Sequence, residues 1–116
     1  MDVSNRNLSY YDLRKETRHK MDCDCYLVIN GKTYLGVVND ISFGGISFIL
    51  YNYDDALEVD KHIIFSLYRT NYPALDMLAN VRNISNVEKG VRIGMQVLNG
   101  DIDMWNLIVH NVKNGL

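Results

Sequence analysis

The segment CDCYLVINGKTYLGVV, residues 23–38, decides the fold, because two stretches of strand-forming residues lie on either side of a turn. The dipeptide Asn30-Gly31 readily adopts the positive φ angles of a type I′ turn, which joins two antiparallel strands directly. The stretches before and after it, Cys23–Ile29 and Thr33–Val38, are rich in β-branched and aromatic residues. This segment therefore predicts a β-hairpin.

Further strands are predicted toward the C-terminus, where turn-forming residues separate short apolar stretches. These strands are expected at Ile46–Tyr51, Lys61–Arg69, Leu75–Ile84 and Val91–Leu98. We expect a polar connection over Asn39–Gly45 and a solvated acidic loop over Asn52–Asp60, while residues 75–79 fit a helical turn as well as a strand. Five or six short antiparallel strands favour closure into a barrel or a small sandwich, since closure removes open sheet edges.

The C-terminal segment changes to helical periodicity. Its apolar positions fall on one stripe: Ile102, Trp105, Ile108, Val109 and Val112. Asn99 or Asp101 is suited to cap the start of this helix, and Gly115 to end it. We expect the stripe to pack across the barrel or its mouth, with a dimer contact on part of it as the alternative.

Composition and charge narrow the class of protein. The 116 residues are 47% hydrophobic and 22% charged, which predicts one globular domain. No apolar run reaches the length of about 20 residues that a bilayer requires, and the polar start is no signal peptide, so we expect a cytoplasmic protein without membrane insertion. Residues 6–20 hold five cations against two acids, a net charge of +3, which leaves −5 for the rest of a chain whose total is −2. A basic arm on an acidic body suits a compact anionic ligand better than a nucleic-acid polymer.

The residues that most often carry metal or catalytic chemistry do not form a recognisable site. Cys23 and Cys25 are spaced awkwardly for a disulfide, and we interpret them as small packing residues in a reducing cytosol. The three histidines are scattered, and the acidic residues of 54–60 lack the spacing of a calcium loop. Ser42 has no histidine base that the sequence places beside it. We therefore expect no metal, no cofactor and no enzymatic activity.

Two short motifs carry the candidate ligand chemistry: RKETR, with Arg14 and Arg18 four residues apart, and DISFGG, with Asp40, Ser42 and Gly45 spaced D-x-S-x-x-G. Each motif alone is ordinary, since paired arginines occur on solvated helices and such polar stretches occur in turns. Together their side chains match the hydrogen-bonding groups of guanine and phosphate. Guanidinium groups bind phosphate and the O6/N7 edge of guanine, a carboxylate accepts from guanine N–H groups, a hydroxyl donates, and glycine lets a ring approach the backbone.

The two motifs resemble the RxxxR and (D/N)xSxxG signature of the PilZ family, receptors for the bacterial second messenger cyclic di-GMP. Residues 92–96, RIGMQ, also resemble the glycine-bearing final strand of that family. The resemblance spans about residues 11–113. It implies an all-β fold with one helix, namely a small six-stranded antiparallel β-barrel followed by a C-terminal amphipathic α-helix. We accordingly expect residues 1–20 to be a flexible basic arm and residues 21–116 to be the barrel with its helix.

The resemblance also implies the ligand contacts. Arg14 and Arg18 correspond to the arginines that grip guanine edges and phosphates, Asp40 and Ser42 would hold guanine from the barrel side, and Gly45 would leave room for it. Secondary contacts are expected at three further residues: Leu13, Lys15 and Gly94. Leucine at position 13 packs where a cation would stack on a second ligand molecule, so we favour one cyclic di-GMP per protomer.

The leading hypothesis is a binding module that changes conformation or partner contacts when cyclic di-GMP binds, and so regulates motility, exopolysaccharide or related processes. We expect a downstream protein partner and a monomer or weak homodimer. The alternative with the same fold is an adaptor that works through protein contacts independently of the nucleotide. A third hypothesis, single-stranded nucleic-acid binding on the eight tyrosines, lacks a basic groove beyond the arm.

Overall fold

The computed structural model describes residues 17–21, 23–51, 53, 57–69, 72–88 and 90–115. Within these residues the chain forms seven strands and one helix: β1 (His19–Lys20), β2 (Asp24–Ile29), β3 (Lys32–Ser42), β4 (Gly45–Tyr51), β5 (His62–Tyr68), β6 (Leu75–Val87), β7 (Gly90–Gly100) and α1 (Ile102–Lys113). Strands β2 to β7 are antiparallel neighbours in the order β3-β2-β5-β6-β7-β4, and β4 pairs again with β3. The predicted six-stranded antiparallel barrel with a C-terminal helix is confirmed, and β1 is an additional short strand on β3.

The barrel consists of two meanders, each of three strands joined in sequence order. The first meander is β2-β3-β4 and the second is β5-β6-β7. Two pairings join the meanders into a closed ring, one between β2 and β5 and the other between β4 and β7. Closure gives every barrel strand two neighbours, which satisfies the backbone hydrogen-bonding groups along both edges of each strand.

The predicted hairpin turn is present. Asn30 has a φ of 52° and Gly31 a φ of 79°, so both central residues adopt the positive φ that a type I′ turn requires. The strand of the second meander that the sequence left ambiguous is β6, which is extended from Leu75 through Val87. The helical alternative for residues 75–79 is therefore wrong, because these residues pair with β5 and β7.

The core fills the barrel with side chains that alternate along each strand. In β2 the inward residues Cys25, Leu27 and Ile29 have no exposed surface, whereas the residues between them are exposed. Phe48 and Phe65 meet edge to face in the centre with ring centroids 5.2 Å apart. Cys25 belongs to this core, and so does the neighbouring Cys23; burial raises the pKa of both thiols, which keeps them protonated and supports their interpretation as packing residues.

The helix α1 closes one end of the barrel. Asp101 is its N-cap and accepts a hydrogen bond from the backbone N–H of Met104 at 3.1 Å. The side chains of Trp105, Ile108 and Val109 are buried, and the Trp105 ring packs edge to face on Phe65 in the core. The predicted stripe is thus correct at its centre, but Ile102 is 39% exposed at the start of the first turn. Among the described residues, no helix has the length and apolarity to span a bilayer.

Candidate ligand-binding site

The DISFGG motif forms the tight end of the β3–β4 hairpin. Asp40 pairs with Ser47 and Ser42 pairs with Gly45, so only Phe43 and Gly44 form the turn. The expected polar connection over residues 39–45 is therefore wrong, since strand structure continues to Ser42 and resumes at Gly45. The register shifts between Val38 and Asp40, which marks a β-bulge at Asn39 that turns the following residues relative to the first half of β3.

The alternation of side chains places the polar residues of this hairpin on the outer face of the barrel. Ile41 and Ile46 pair with each other and are fully buried in the core. Their neighbours Asp40, Ser42 and Gly45 therefore lie on the opposite, outward side of the two strands. The motif spacing D-x-S places the carboxylate and the hydroxyl on that face together.

Strand β1 brings the end of the RKETR motif to the same face. It pairs with β3 through His19–Ile41 and Lys20–Asp40. Strand β2 occupies this edge of β3 only as far as Val37, so β1 pairs with the part of the edge that β2 leaves open. Arg18 directly precedes β1 and is thereby held beside the hairpin end.

Arg18 contacts both polar residues of the second motif. Its Nε donates to Oδ1 of Asp40 at 2.6 Å, and its Nη1 donates to Oγ of Ser42 at 3.4 Å. The side chains of this ion pair are 40% exposed for Arg18 and 22% for Asp40, which leaves the guanidinium accessible from solvent. Asn39 donates from Nδ2 to the second carboxylate oxygen of Asp40 at 3.1 Å. Asn39 was not among the predicted contacts, and its position next to Asp40 in the sequence is the signal that would have indicated it.

Gly45 provides the space that Arg18 occupies. A Cβ atom at this position would lie 2.9 Å from the carbonyl oxygen of Met95 and 3.3 Å from Nη1 of Arg18. The first distance is shorter than real Cβ contacts, and the atom it involves belongs to the backbone of β7. Glycine is required here by the close approach of both groups.

Of the remaining predicted contacts, only Gly94 lies among the described residues. Gly94 lies on β7 opposite Ser47 of β4, one strand further along the same outer face. A Cβ on Gly94 would lie 2.6 Å from Oδ1 of Asn83, so the Asn83 carboxamide covers this glycine. Arg14, Leu13 and Lys15 lie outside the described residues.

The site carries the groups of a binding site for a polar, partly anionic molecule. The guanidinium of Arg18 and the carboxylate of Asp40 are partly exposed beside the buried hydroxyl of Ser42. Trp105 fixes the turn between the two strands by donating from Nε1 to the carbonyl oxygen of Phe43 at 2.8 Å. Among the described residues, no group of three or more histidine, cysteine or acidic side chains is placed to hold a metal ion. The arrangement is suited to recognition through hydrogen bonds and charge.

Comparisons with known proteins agree with this architecture. The chain is similar in fold to the Bacillus subtilis inhibitor of motility MotI/DgrA, with a TM-score of 0.75 and 13% identity over 88% of this chain and 50% of that one. It is similar to the PilZ domain of YcgR from Escherichia coli, solved with c-di-GMP, with a TM-score of 0.73 and 15% identity over 88% of this chain and 92% of that one. For the K. pneumonia MrkH–c-di-GMP complex the TM-score is 0.68 and the identity 19%, over 88% of this chain and 53% of that one.

These matches also show how the length of this chain compares with the lengths of the similar proteins. It spans about half the length of MotI/DgrA and MrkH, and nearly all of the isolated YcgR domain. No curated protein sequence matches it. The sequence model of the PilZ domain, however, matches residues 12–114, which include both motifs, the whole barrel and the helix. The chain belongs to the PilZ domain family.

Proposed function

We propose that this chain is a receptor module for cyclic di-GMP and that Arg18, Asp40, Ser42 and Gly45 form the described part of its binding site. The observation that carries the proposal is the meeting of the two motifs. Arg18, which ends RKETR, bonds to Asp40 and Ser42 of DISFGG across 22 and 24 residues of sequence. Two of the similar structures contain the same nucleotide.

Each group has a role that follows from its chemistry. Asp40 accepts hydrogen bonds only, so it suits the N–H donors of guanine and disfavours adenine, which presents an acceptor at the corresponding ring nitrogen. When Arg18 leaves Asp40, its guanidinium donates hydrogen bonds to a phosphate or to the O6/N7 edge of guanine. The hydroxyl of Ser42 donates to a ligand acceptor. The absent side chain of Gly45 leaves the backbone of β4 open to a ring.

The N-terminal residues are proposed to supply the remaining ligand contacts. Arg14 stands four residues before Arg18 in the sequence and supplies the second guanidinium, with Leu13, Lys15 and Gly94 as secondary contacts. Residues 1–20 act as the basic arm that closes over the ligand, and one cyclic di-GMP binds per protomer. The domain boundary at residues 20 and 21 stays a prediction, because residues 1–16 lie outside the described part of the chain.

The module transmits binding through protein contacts and performs no catalysis. It acts in the cytoplasm as a monomer or weak homodimer, and a downstream protein partner reads the ligand-bound conformation to regulate motility, exopolysaccharide or a related process. One similar structure is named for inhibition of motility, which supports this class of output. The conformational change is the movement of the basic arm, in which Arg18 gives up its contact with Asp40 and binds the ligand.

Calorimetric titration tests the proposal directly. We expect saturable binding of cyclic di-GMP at one molecule per chain, and much weaker binding of cyclic di-AMP and of the linear dinucleotide pGpG. Replacing Asp40 by Ala should reduce the preference for guanine over adenine. Absence of binding at tens of micromolar, or equal binding of cyclic di-GMP and cyclic di-AMP, would show that the proposal is wrong and would favour the nucleotide-independent adaptor.

A further inference from the structure

Four positions at the end of the β3–β4 hairpin face outward as two opposed pairs. Asp40 is paired with Ser47, and Ser42 is paired with Gly45. Arg18 reaches three of these positions, since it bonds to Asp40 and Ser42 and its Nη1 would lie 3.3 Å from a Cβ on Gly45. We call these four positions the outward square. Ser47 is its fourth member, and Arg18 makes no hydrogen bond to it.

The hydroxyl of Ser47 is buried without a hydrogen-bond partner. The residue is 7% exposed, and among the described residues no donor or acceptor is bonded to its Oγ. It interrupts an apolar run, between the core residues Ile46 and Phe48, at a position where the alternation of β4 directs the side chain outward. A buried hydroxyl without a partner destabilises the protein that carries it. Such groups are few in native structures, and a functional role is one of the reasons for which they are retained.

The surroundings of Ser47 indicate where a partner would come from. On one side, the carboxylate of Asp40 already accepts hydrogen bonds from Arg18 and Asn39. On the other side, Gly94 contributes no side chain. When Arg18 turns toward a ligand in the proposed binding reaction, it frees the Asp40 carboxylate for a group that also reaches the directly opposed Ser47.

We propose that Ser47 is a further ligand-contacting residue, whose hydroxyl donates to O6 of the guanine that Asp40 holds. Directly opposed residues on one face of an antiparallel pair have Cβ atoms about 5 Å apart, so one base edge reaches both side chains. On that edge of guanine the O6 acceptor lies next to the N–H donors that Asp40 accepts, and adenine carries an amino group in place of O6. The assignment rests on the cyclic di-GMP function proposed above.

The variant Ser47→Ala tests this contact against a purely structural role. Loss of one neutral hydrogen bond should weaken cyclic di-GMP binding about fivefold to tenfold in calorimetric titration. The ligand-free variant should have an unchanged or higher Tm, because the substitution removes an unpartnered hydroxyl. The control Ser66→Ala removes a hydroxyl from the outer face of β5, where it bonds to Asp76, and should leave the affinity unchanged.

The outcomes separate the two proposals. If the wild-type chain does not bind cyclic di-GMP, the proposed function is wrong. If the wild type binds and Ser47→Ala binds equally well, or if the variant has a lower Tm without ligand, the assignment of Ser47 is wrong while the function stands. A cyclic dinucleotide with sulfur in place of O6 identifies the atom contacted. It should bind the wild type more weakly than cyclic di-GMP does, whereas Ser47→Ala should bind the two alike; an equal discrimination by both proteins would overturn the O6 contact.

Discussion

Replacing Arg18 by Ala separates the contribution of this side chain to binding from its contribution to stability. In the ligand-free protein its pair with Asp40 is short, at 2.6 Å, but the two side chains are 40% and 22% exposed. Partly solvated ion pairs of this kind contribute roughly 0.2–1 kcal/mol to the free energy of unfolding. The Tm of the variant should therefore fall by less than about 4 °C.

The effect on ligand affinity should be larger. Hydrogen bonds from a charged donor contribute about 1.5–3 kcal/mol, and the ligand gains them only after Arg18 gives up its pair with Asp40, which costs about 0.5 kcal/mol. The net loss in the variant is then about 1–2.5 kcal/mol, which corresponds to a Kd raised roughly 5- to 70-fold. Calorimetric titration of wild type and variant at equal ionic strength measures this ratio.

Arg82→Ala is the matched control for this experiment. Arg82 is also an arginine on the barrel, its side chain is 45% exposed, and its Nη1 lies 4.0 Å from Oδ1 of Asp60. It is on β6, three strands from β3 in either direction around the ring. The control should bind cyclic di-GMP like the wild type. Equal losses in both variants would mean that Arg18 acts only through net charge, and an Arg18→Ala chain with wild-type affinity would refute the site.

Three further substitutions test the geometry around the site and the core. Gly45→Ala should lower the Tm and weaken ligand binding, because the added methyl group displaces the backbone of β7 or Arg18 at a cost of about 1–3 kcal/mol. Thermal unfolding and titration that both match the wild type would contradict this. Trp105→Phe removes the 2.8 Å bond to the carbonyl oxygen of Phe43 and should cost about 1–3 kcal/mol in urea unfolding followed by circular dichroism, whereas the exposed Leu107→Ala on the same helix should have a much smaller effect. Burial raises the pKa of Cys25, so the folded protein keeps a thiol proton that the unfolded chain loses above about pH 8.5. Stability should therefore fall as the pH rises above that value, and Cys25→Ala should make the fall between about pH 8.5 and 10 shallower; identical slopes would show that this thiol does not contribute.

The architecture was predictable from the sequence because local signals agreed with the final fold. Asn30-Gly31 permits a type I′ turn wherever two strands flank it, and the structure has both residues at positive φ. Asp101 and the buried residues Trp105 and Ile108 follow rules of helix capping and periodicity that do not depend on distant contacts.

The ends of the strands at the site were not predictable in the same way. Residues 39–42 contain Asn, Asp and Ser, which favour turns in isolation, yet their backbone pairs with β4 on one side and β1 on the other. Strand β1 has only two residues, too few for a periodic pattern, and exists because β3 offers it an open edge. A prediction from local propensity was therefore wrong where pairing between distant segments determined the structure.

For the candidate site, the motif spacing predicted which residues meet but not how they meet. The sequence indicated Arg18, Asp40 and Ser42 as contacts of one ligand, and the structure adds that Arg18 is bonded to both of the others in the ligand-free protein. An outward side chain at Ser47 follows from alternation along β4, whereas its missing partner depends on the packing of neighbouring strands. That information is present only in three dimensions.

The division of the barrel into two meanders has a consequence for how the chain folds. Within each meander every pairing is between consecutive strands, so it forms with little loss of loop entropy, and the outward square assembles entirely within the first meander. The two seams, β2 with β5 and β4 with β7, join residues far apart in the sequence and carry the entropic cost of ring closure. The second seam shares β4 with the binding surface, whereas the first seam lies apart from it, so substitutions confined to the pairing of β2 with β5 should alter the rate of folding more than the chemistry of that surface.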